Sequence, residues 1–104
     1  MQMLTVQFRY DVSEEQFARD NNADAARMIS EIPGLLWKYW LHSAERKECI
    51  GVYHFKDRAS AEAYMNSPII KEFLPGYTID AVKLYELMVE NSAICRAPGV
   101  SGAD

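Results

Sequence analysis

Residues 31–40 read E-I-P-G-L-L-W-K-Y-W, and this stretch decides the fold. Pro33 and Gly34 cannot lie inside a helix or a central strand, so they mark a break between two elements. Two leucines, two tryptophans and a tyrosine follow within the next six positions. So much large apolar surface in a short stretch predicts a strand that is buried in a core or that lines a ligand pocket.

The chain before this break predicts a strand and then a helix. Residues 3–10 alternate with a period of two, and one face of this strand carries Leu4, Val6, Phe8 and Tyr10. The sequence S-E-E-Q at 13–16 is a capping box with acidic residues in the first turn, so we expect a helix from there to residue 31. The polar D-N-N at 20–22 predicts a kink or a restart within it.

The chain after the break predicts two strands, a second helix and a last strand. Asp57 is placed to cap the second helix, and Pro-Gly at 75–76 is another break. The predicted elements are a strand at 35–42, a strand at 49–55, a helix at 58–66, a short helical turn at 69–74 and a strand at 77–89. Residues 90–104 have the composition of a tail that is either flexible or exchanged with a partner.

The order β-α-β-β-α-β is that of the ferredoxin-like α+β fold, with four antiparallel strands and both helices on one face of the sheet. We therefore expect one domain over residues 1–89. Several strands, the last one above all, carry large apolar side chains on both faces. A lone two-layer domain would leave one of those faces in water, so the pattern predicts a homodimer packed sheet against sheet.

Composition excludes several classes of function. A chain of 104 residues with 49% hydrophobic and 25% charged residues is typical of one soluble globular domain. The net charge of -4 and the scattered Lys and Arg residues argue against nucleic acid as a partner. The sequence has no apolar run of about 18 residues and no signal-like N-terminus, so neither a membrane span nor secretion is expected. We expect a cytoplasmic protein.

Metal and cofactor sites have no signature here. Two Cys and two His lie at positions 42, 49, 54 and 95, without the close pairs of a structural zinc site. Cys49 reads as a small buried strand residue with a reduced thiol. No flavin, haem or nucleotide fingerprint such as G-x-G-x-x-G is present, so no bound cofactor or metal is predicted.

The same stretches carry a family resemblance. Residues 31–40 resemble the E-P-G-F-x-W-K-x-W signature of the small bacterial mono-oxygenases of the YdhR type. G-V-Y-H-F at 51–55 resembles that family's G-I-Y-x-F strand, and S-A-E-A-Y at 60–64 resembles its S-A-x-A-Y helix. The resemblance covers residues 1–89 and is strongest from 31 to 64. It implies a dimeric α+β barrel, in a superfamily that includes antibiotic-biosynthesis and other cofactor-independent, quinone-forming mono-oxygenases.

The resemblance implies an aromatic, phenolic or polyketide-like substrate in a pocket between sheet and helices. Aromatic side chains suit such a ligand, and the predicted contacts are Phe8, Trp37, Trp40, Tyr53 and Tyr64. His54 and His42 are the candidate catalytic residues because only histidine has an ordinary pKa near neutrality. His54, in mid-strand, is the better candidate. A cyclase or isomerase on the same scaffold and a non-catalytic ligand-binding protein are the alternatives.

Each of these residues also has a structural interpretation. Trp37 and Trp40 are three positions apart on one strand, so they face opposite sides, one towards the dimer interface and one towards the pocket or core. Tyr53 and Tyr64 could meet between the two layers. Both histidines could be structural or solvated instead. Lys38 and Arg9 are expected at strand surfaces or in ion pairs.

Overall fold

The computed structural model describes residues 2–72 and 74–99. Over these residues the chain order is that of the predicted βαββαβ pattern, with the first helix divided in two and a last helix added. The elements are β1 (Gln2–Tyr10), α1 (Glu14–Asp20), α2 (Ala23–Ser30), β2 (Leu35–Ser43), β3 (Glu48–Phe55), α3 (Arg58–Met65), α4 (Pro68–Lys71), β4 (Tyr77–Glu86) and α5 (Val89–Ile94).

The strands of the described chain form a four-stranded antiparallel sheet in the order β2-β3-β1-β4. β1 lies in the middle and pairs with β3 on one side and β4 on the other. The helices α1 to α4 pack on one face of this sheet, which confirms the ferredoxin-like α+β prediction. No helix in the described part of the chain is both long enough and apolar enough to span a membrane.

The core lies between this face and the helices. The predicted apolar face of β1 is buried along its whole length, and so is Cys49 on β3, as predicted. The rest of the core comes from β3, α1, α3 and α4. Its buried members there are Phe17, Tyr53, Phe55, Ala61, Tyr64 and Ile70. Burial of these large side chains is the main stabilising term of the domain.

Short polar side chains begin each of the longer helices. The Oγ of Ser13 accepts a hydrogen bond from the backbone N–H of Gln16, and Asp57 caps α3 in the same way through Ser60. Asn22 caps α2 by accepting from the N–H of Ala25. The D-N-N stretch therefore ends one helix and starts the next, which confirms the predicted restart.

The last strand and the tail differ from the prediction. β4 ends at Glu86 and not at residue 89, and α5 follows at Val89–Ile94. The strand stops there because Glu86 pairs with Gln2, the first residue of β1, so no partner strand continues beyond it. The predicted turn at 69–74 forms as α4, but its Phe73 lies outside the described residues, as do residues 100–104 of the predicted tail.

Within the described part of the chain, no helix covers the middle of the second face of the sheet. Tyr39, Leu41 and Tyr85 on this open face are 48%, 50% and 50% exposed. At one end the segment after α5 crosses towards β2, since a Cβ on Gly99 would lie 3.0 Å from Nε1 of Trp37. Arg9 also lies on this side and forms the predicted ion pair, with 2.8 Å between its Nε and Oδ2 of Asp80.

The Pro-Gly break allows close approach between the start of β2 and α3. Gly34 has a positive φ of 82°, and a Cβ there would overlap the side chain of Ser60. We expect Gly34→Ala to lower the free energy of unfolding by about 1–3 kcal/mol, because it adds backbone strain and a steric clash. Urea denaturation measures this.

The matched control is Ala63→Gly, at an exposed position of α3. It should lower the free energy of unfolding by no more than about 1 kcal/mol, the intrinsic cost of glycine in a helix. A Gly34→Ala variant as stable as the wild type would show that this approach does not constrain the fold.

Candidate functional site

A cavity of about 320 Å³ lies between the helix-facing side of the sheet and the helices α2 and α4. Its floor is formed by strand residues and its roof by Ala25, Met28 and Ile29 of α2 with Ile69 and Ile70 of α4. Most of the lining is apolar. A cavity of this size and character suits a small, flat organic ligand.

Four of the five predicted substrate contacts line this cavity. They are Phe8, Trp40, Tyr53 and Tyr64. Trp37 does not line the cavity, because its side chain lies on the other face of the sheet. There the centroids of the Trp37 and Tyr39 rings are 4.7 Å apart. The two tryptophans therefore face opposite sides, as predicted. Whether these side chains contact a ligand stays a prediction.

Tyr53 and Tyr64 meet inside the cavity, as predicted, although they come from β3 and α3. Their hydroxyl oxygens are 2.8 Å apart and hydrogen-bonded, and their ring centroids are 4.9 Å apart. Burial raises the pKa of both hydroxyls, so both keep their protons at neutral pH. Each hydroxyl carries one hydrogen, and one of these two hydrogens forms the bond between the hydroxyls. The other hydrogen is left to donate to a ligand.

Lys38 also lines the cavity, and its predicted place at the strand surface or in an ion pair is wrong. Its Nζ lies 3.3 Å from the centroid of the Trp40 ring and 4.5 Å from that of Tyr53. No carboxylate of the described residues lies within ion-pair distance of this amine. The strand period did contain the signal, since Lys38 has the same parity as Trp40.

The surroundings of Lys38 change its acidity. Burial disfavours the charged ammonium and lowers the pKa of Lys38 to about 8. The faces of the two aromatic rings attract a cation and partly offset this. The amine therefore exchanges its proton close to neutral pH, which is the property required of a general base.

Gly51 provides the space that Lys38 and Tyr53 occupy. It pairs with Trp40 across β2 and β3, and a Cβ there would lie 2.8 Å from Cε1 of Tyr53 and 3.0 Å from Cε of Lys38. A larger residue would push both side chains away from their present positions. A glycine within a predicted strand is the sequence signal for such a close approach.

Part of the cavity lining is polar. Asp20, Asn21 and Glu72 lie there beside Tyr77. The carboxylate of Asp20 accepts hydrogen bonds from the Tyr77 hydroxyl and from Nε2 of Gln16, both at 2.7 Å. The lining thus contains acceptor groups as well as the amine of Lys38 and the hydroxyl pair.

Neither histidine lines the cavity. His54 follows Tyr53 on β3 and therefore points to the other face, where it is fully buried with its ring centroid 4.9 Å from that of Trp37. Neither of its ring nitrogens has a hydrogen-bond partner among the described residues. Burial lowers the pKa of His54, so this ring is neutral at pH 7.

His42 lies on the helix side but at the sheet edge. Its ring stacks on Phe17, its Nε2 is 3.6 Å from Oε1 of Glu14, and 43% of its side chain is exposed. It lines a neighbouring depression of about 340 Å³ that shares Asn21 and Trp40 with the cavity. The predicted catalytic roles of His42 and His54 stay predictions.

The sequence matches one protein family over nearly its whole length. Residues 3–98 match the profile of the family described as "Putative mono-oxygenase ydhR". The chain belongs to this family. The match includes α5, beyond the residues 1–89 over which the signature stretches were compared.

Solved structures show the same fold at low sequence identity. A putative antibiotic biosynthesis monooxygenase from Deinococcus radiodurans has a TM-score of 0.60 at 14% identity, with 84% of this chain and 92% of that chain covered. Rv0793 from Mycobacterium tuberculosis gives 0.56 at 14% identity over 85% and 96% of the two chains. A conserved protein from Methanosarcina mazei Go1 gives 0.52 at 16% identity over 83% and 93%. No curated protein matches the sequence significantly.

In this YdhR-family member, burial of the Lys38 amine lowers the free energy of unfolding by a measurable amount. We expect Lys38→Met to raise the free energy of unfolding at pH 7 by about 1–3 kcal/mol, since methionine keeps the apolar stem and removes the buried charge. Thermal or urea denaturation of both proteins measures the difference.

The difference in the free energy of unfolding between the wild type and Lys38→Met should depend on pH. Between pH 8 and 10.5, the folded and ordinary pKa values of Lys38, the unfolded wild type binds more protons than the folded protein. The stability of the wild type relative to Lys38→Met therefore rises with pH across this window, and the difference closes. A less stable Lys38→Met protein at pH 7 would contradict the assigned environment.

Proposed function

We propose that the protein is a mono-oxygenase that needs no bound cofactor and acts on a small aromatic, phenolic or polyketide-like substrate held in the cavity. Membership of the YdhR family supports the reaction class. The observation that carries the proposal is the amine of Lys38, which lies among aromatic walls and has no counter-ion among the described residues. A phenol brings both the flat surface and the acidic proton that such a site accommodates.

The chemistry begins with a proton transfer. Neutral Lys38 accepts the phenolic proton, and the resulting ammonium stays beside the phenolate as its counter-ion. The remaining donor of the Tyr53–Tyr64 pair stabilises the phenolate oxygen. A bound substrate would displace water from the mostly apolar lining, and this would strengthen both interactions.

The phenolate then supplies the electrons for dioxygen. One electron passes to dioxygen, and the two radicals join through a carbon–oxygen bond at a ring carbon that bears hydrogen. The ammonium of Lys38 returns its proton to the peroxide. The O–O bond breaks, and the distal oxygen leaves as water with the returned proton and the ring hydrogen. Phenol and dioxygen thus give quinone and water, and dioxygen is the only oxidant.

The placement of the titratable groups favours Lys38 as the base over the histidines. His54 lies on the opposite face of the sheet, and His42 lies at the edge outside the cavity. A pocket without a titratable group would favour a non-catalytic binding protein. The amine of Lys38 is a titratable group in this cavity, so it argues against that alternative.

Oxygen consumption by the metal-free protein, measured with hydroquinones and polycyclic phenols, tests this function. We expect one dioxygen to be consumed per substrate molecule, and a quinone product that has gained one oxygen atom and lost two hydrogen atoms. For phenols whose own pKa lies near 10, kcat/KM should rise with pH and level off above about 8, because the neutral form of Lys38 is the base. Lys38→Met should lower kcat/KM by roughly 10²–10⁴-fold.

His54→Gln is the comparison variant, since it changes the residue predicted from the sequence. Its kcat/KM should stay within a few-fold of the wild type; loss of turnover there and not in Lys38→Met would assign the base to His54. No oxygen uptake combined with quenching of tryptophan fluorescence by the same phenols would favour a cyclase, an isomerase or a binding protein.

We also propose that the working form is a homodimer in which a second copy covers the open face. That face carries Tyr39, Leu41 and Tyr85, each about half exposed. Large apolar side chains grouped on one sheet face are typical of an interface. A symmetric pair packed face to face would bury the same residues on both copies.

Analytical ultracentrifugation at micromolar concentration tests the dimer. The wild type should sediment as a dimer, and Leu41→Glu should sediment as a monomer because it places a charge within the interface. Ala63→Glu adds the same charge on exposed α3 and should leave the dimer intact. A folded wild-type monomer would overturn the proposal.

A further inference from the structure

The amine of Lys38 has the surroundings of a nucleophile as well as those of a base. We propose that Lys38 captures carbonyl compounds, forming a reversible imine with a small aromatic aldehyde or ketone that enters the cavity. This activity needs no oxygen and is separate from the proposed mono-oxygenation.

The first argument is the absence of a competing partner. Nζ of Lys38 contacts the faces of Trp40 and Tyr53, and no carboxylate or carbonyl of the described residues forms an ion pair or hydrogen bond with it. Lys47 is the contrasting case, because its Nζ donates a hydrogen bond to the carbonyl of Val12 at 2.6 Å. An amine that is not held by an acceptor can turn its lone pair towards a ligand.

The second argument is the available fraction of neutral amine. With a pKa of about 8, roughly a quarter of the Lys38 side chains are neutral at pH 7.5. An ordinary lysine with a pKa near 10.4 is only about 0.1% neutral at that pH. Since only the neutral amine attacks a carbonyl carbon, Lys38 has an advantage of about two orders of magnitude.

The third argument is the proton donor beside the amine. Attack of the nitrogen lone pair on the carbonyl carbon gives a carbinolamine, with one amine proton passing to oxygen. Its hydroxyl leaves as water after taking a proton, and the Tyr53–Tyr64 pair supplies a donor in the same cavity. The nitrogen then loses its second proton to that pair. Amine and aldehyde thus give imine and water, with no oxidant or reductant.

The shape and lining of the cavity limit the class of carbonyl compound. A volume of about 320 Å³ with mostly apolar walls favours an aryl aldehyde or aryl ketone over a sugar or a charged keto acid. The aromatic ring would lie against Phe8 and Trp40, with its carbonyl directed to Lys38.

Reductive trapping tests the proposal. The full chain is incubated under nitrogen at pH 7.5 with 2-naphthaldehyde and sodium cyanoborohydride, and labelled peptides are quantified by mass spectrometry. We expect Lys38 to be labelled at least tenfold faster than the mean of Lys47, Lys56, Lys71 and Lys83. The preference should disappear in urea-denatured protein, and Lys56→Arg should leave it unchanged.

Two results would overturn the proposal. One is labelling of Lys38 in the folded protein no faster than that of the other lysines. The other is equally preferential labelling of Lys38 by an aldehyde attached to a 5 kDa polyethylene glycol, because such a probe is too large for the cavity. Because oxygen is excluded, trapping at Lys38 with no oxygen uptake in the separate assay would overturn only the mono-oxygenase.

Discussion

The amine of Lys38 lies in a mostly apolar cavity and has no counter-ion among the residues that the structure describes, and the arrangement of the site follows from this constraint. Burying an unpaired ammonium costs several kcal/mol, and contacts with aromatic faces return about 0.5–2 kcal/mol of it. The remainder is expressed as the lowered pKa of Lys38. An unfavourable group that is retained in this way is typical of functional sites, where the ligand supplies the missing interaction.

Small features of the backbone make this arrangement possible. Gly51 leaves the space into which Lys38 and Tyr53 extend, and Gly34 lets α3 approach the start of β2. α3 in turn carries Tyr64 to the hydroxyl of Tyr53. Two glycines thus bring an amine and a pair of hydroxyls into one cavity from three separate elements. Their contribution is spatial, because neither glycine provides a functional group.

Local patterns in the sequence predicted most of the fold, and the errors have physical causes. The caps at Ser13 and Asp57 and the alternation in β1 depend on neighbouring residues, so they could be predicted. The end of β4 depends on where its partner strand begins, which is not a local property. Lys38 was misplaced because lysine usually lies at the surface. The parity that placed Trp40 at the cavity also placed Lys38 there.

The same parity separates the predicted site residues from one another. Tyr53 and His54 are neighbours on β3, so only one of them can face the cavity, and the residue that faces it is Tyr53. The sequence predicts His54 as a base because the ordinary pKa of histidine lies near neutrality. The structure contains another route to a group that titrates near neutrality, which is burial of a lysine. Burial is a property of the tertiary fold, and residue identity alone does not predict it.

The stretch W-K-Y-W at 37–40 now has a physical interpretation. Trp37 and Tyr39 point to the open face, whereas Lys38 and Trp40 point to the cavity. Four consecutive residues therefore serve two surfaces, one proposed to pack against a second copy and one proposed to hold the substrate. Substitution at any of the four positions would disturb one surface or the other, and a shift in register by one residue would exchange them. A family signature can thus lie in a strand without being a catalytic motif, because it specifies the strand's register and with it the composition of both faces.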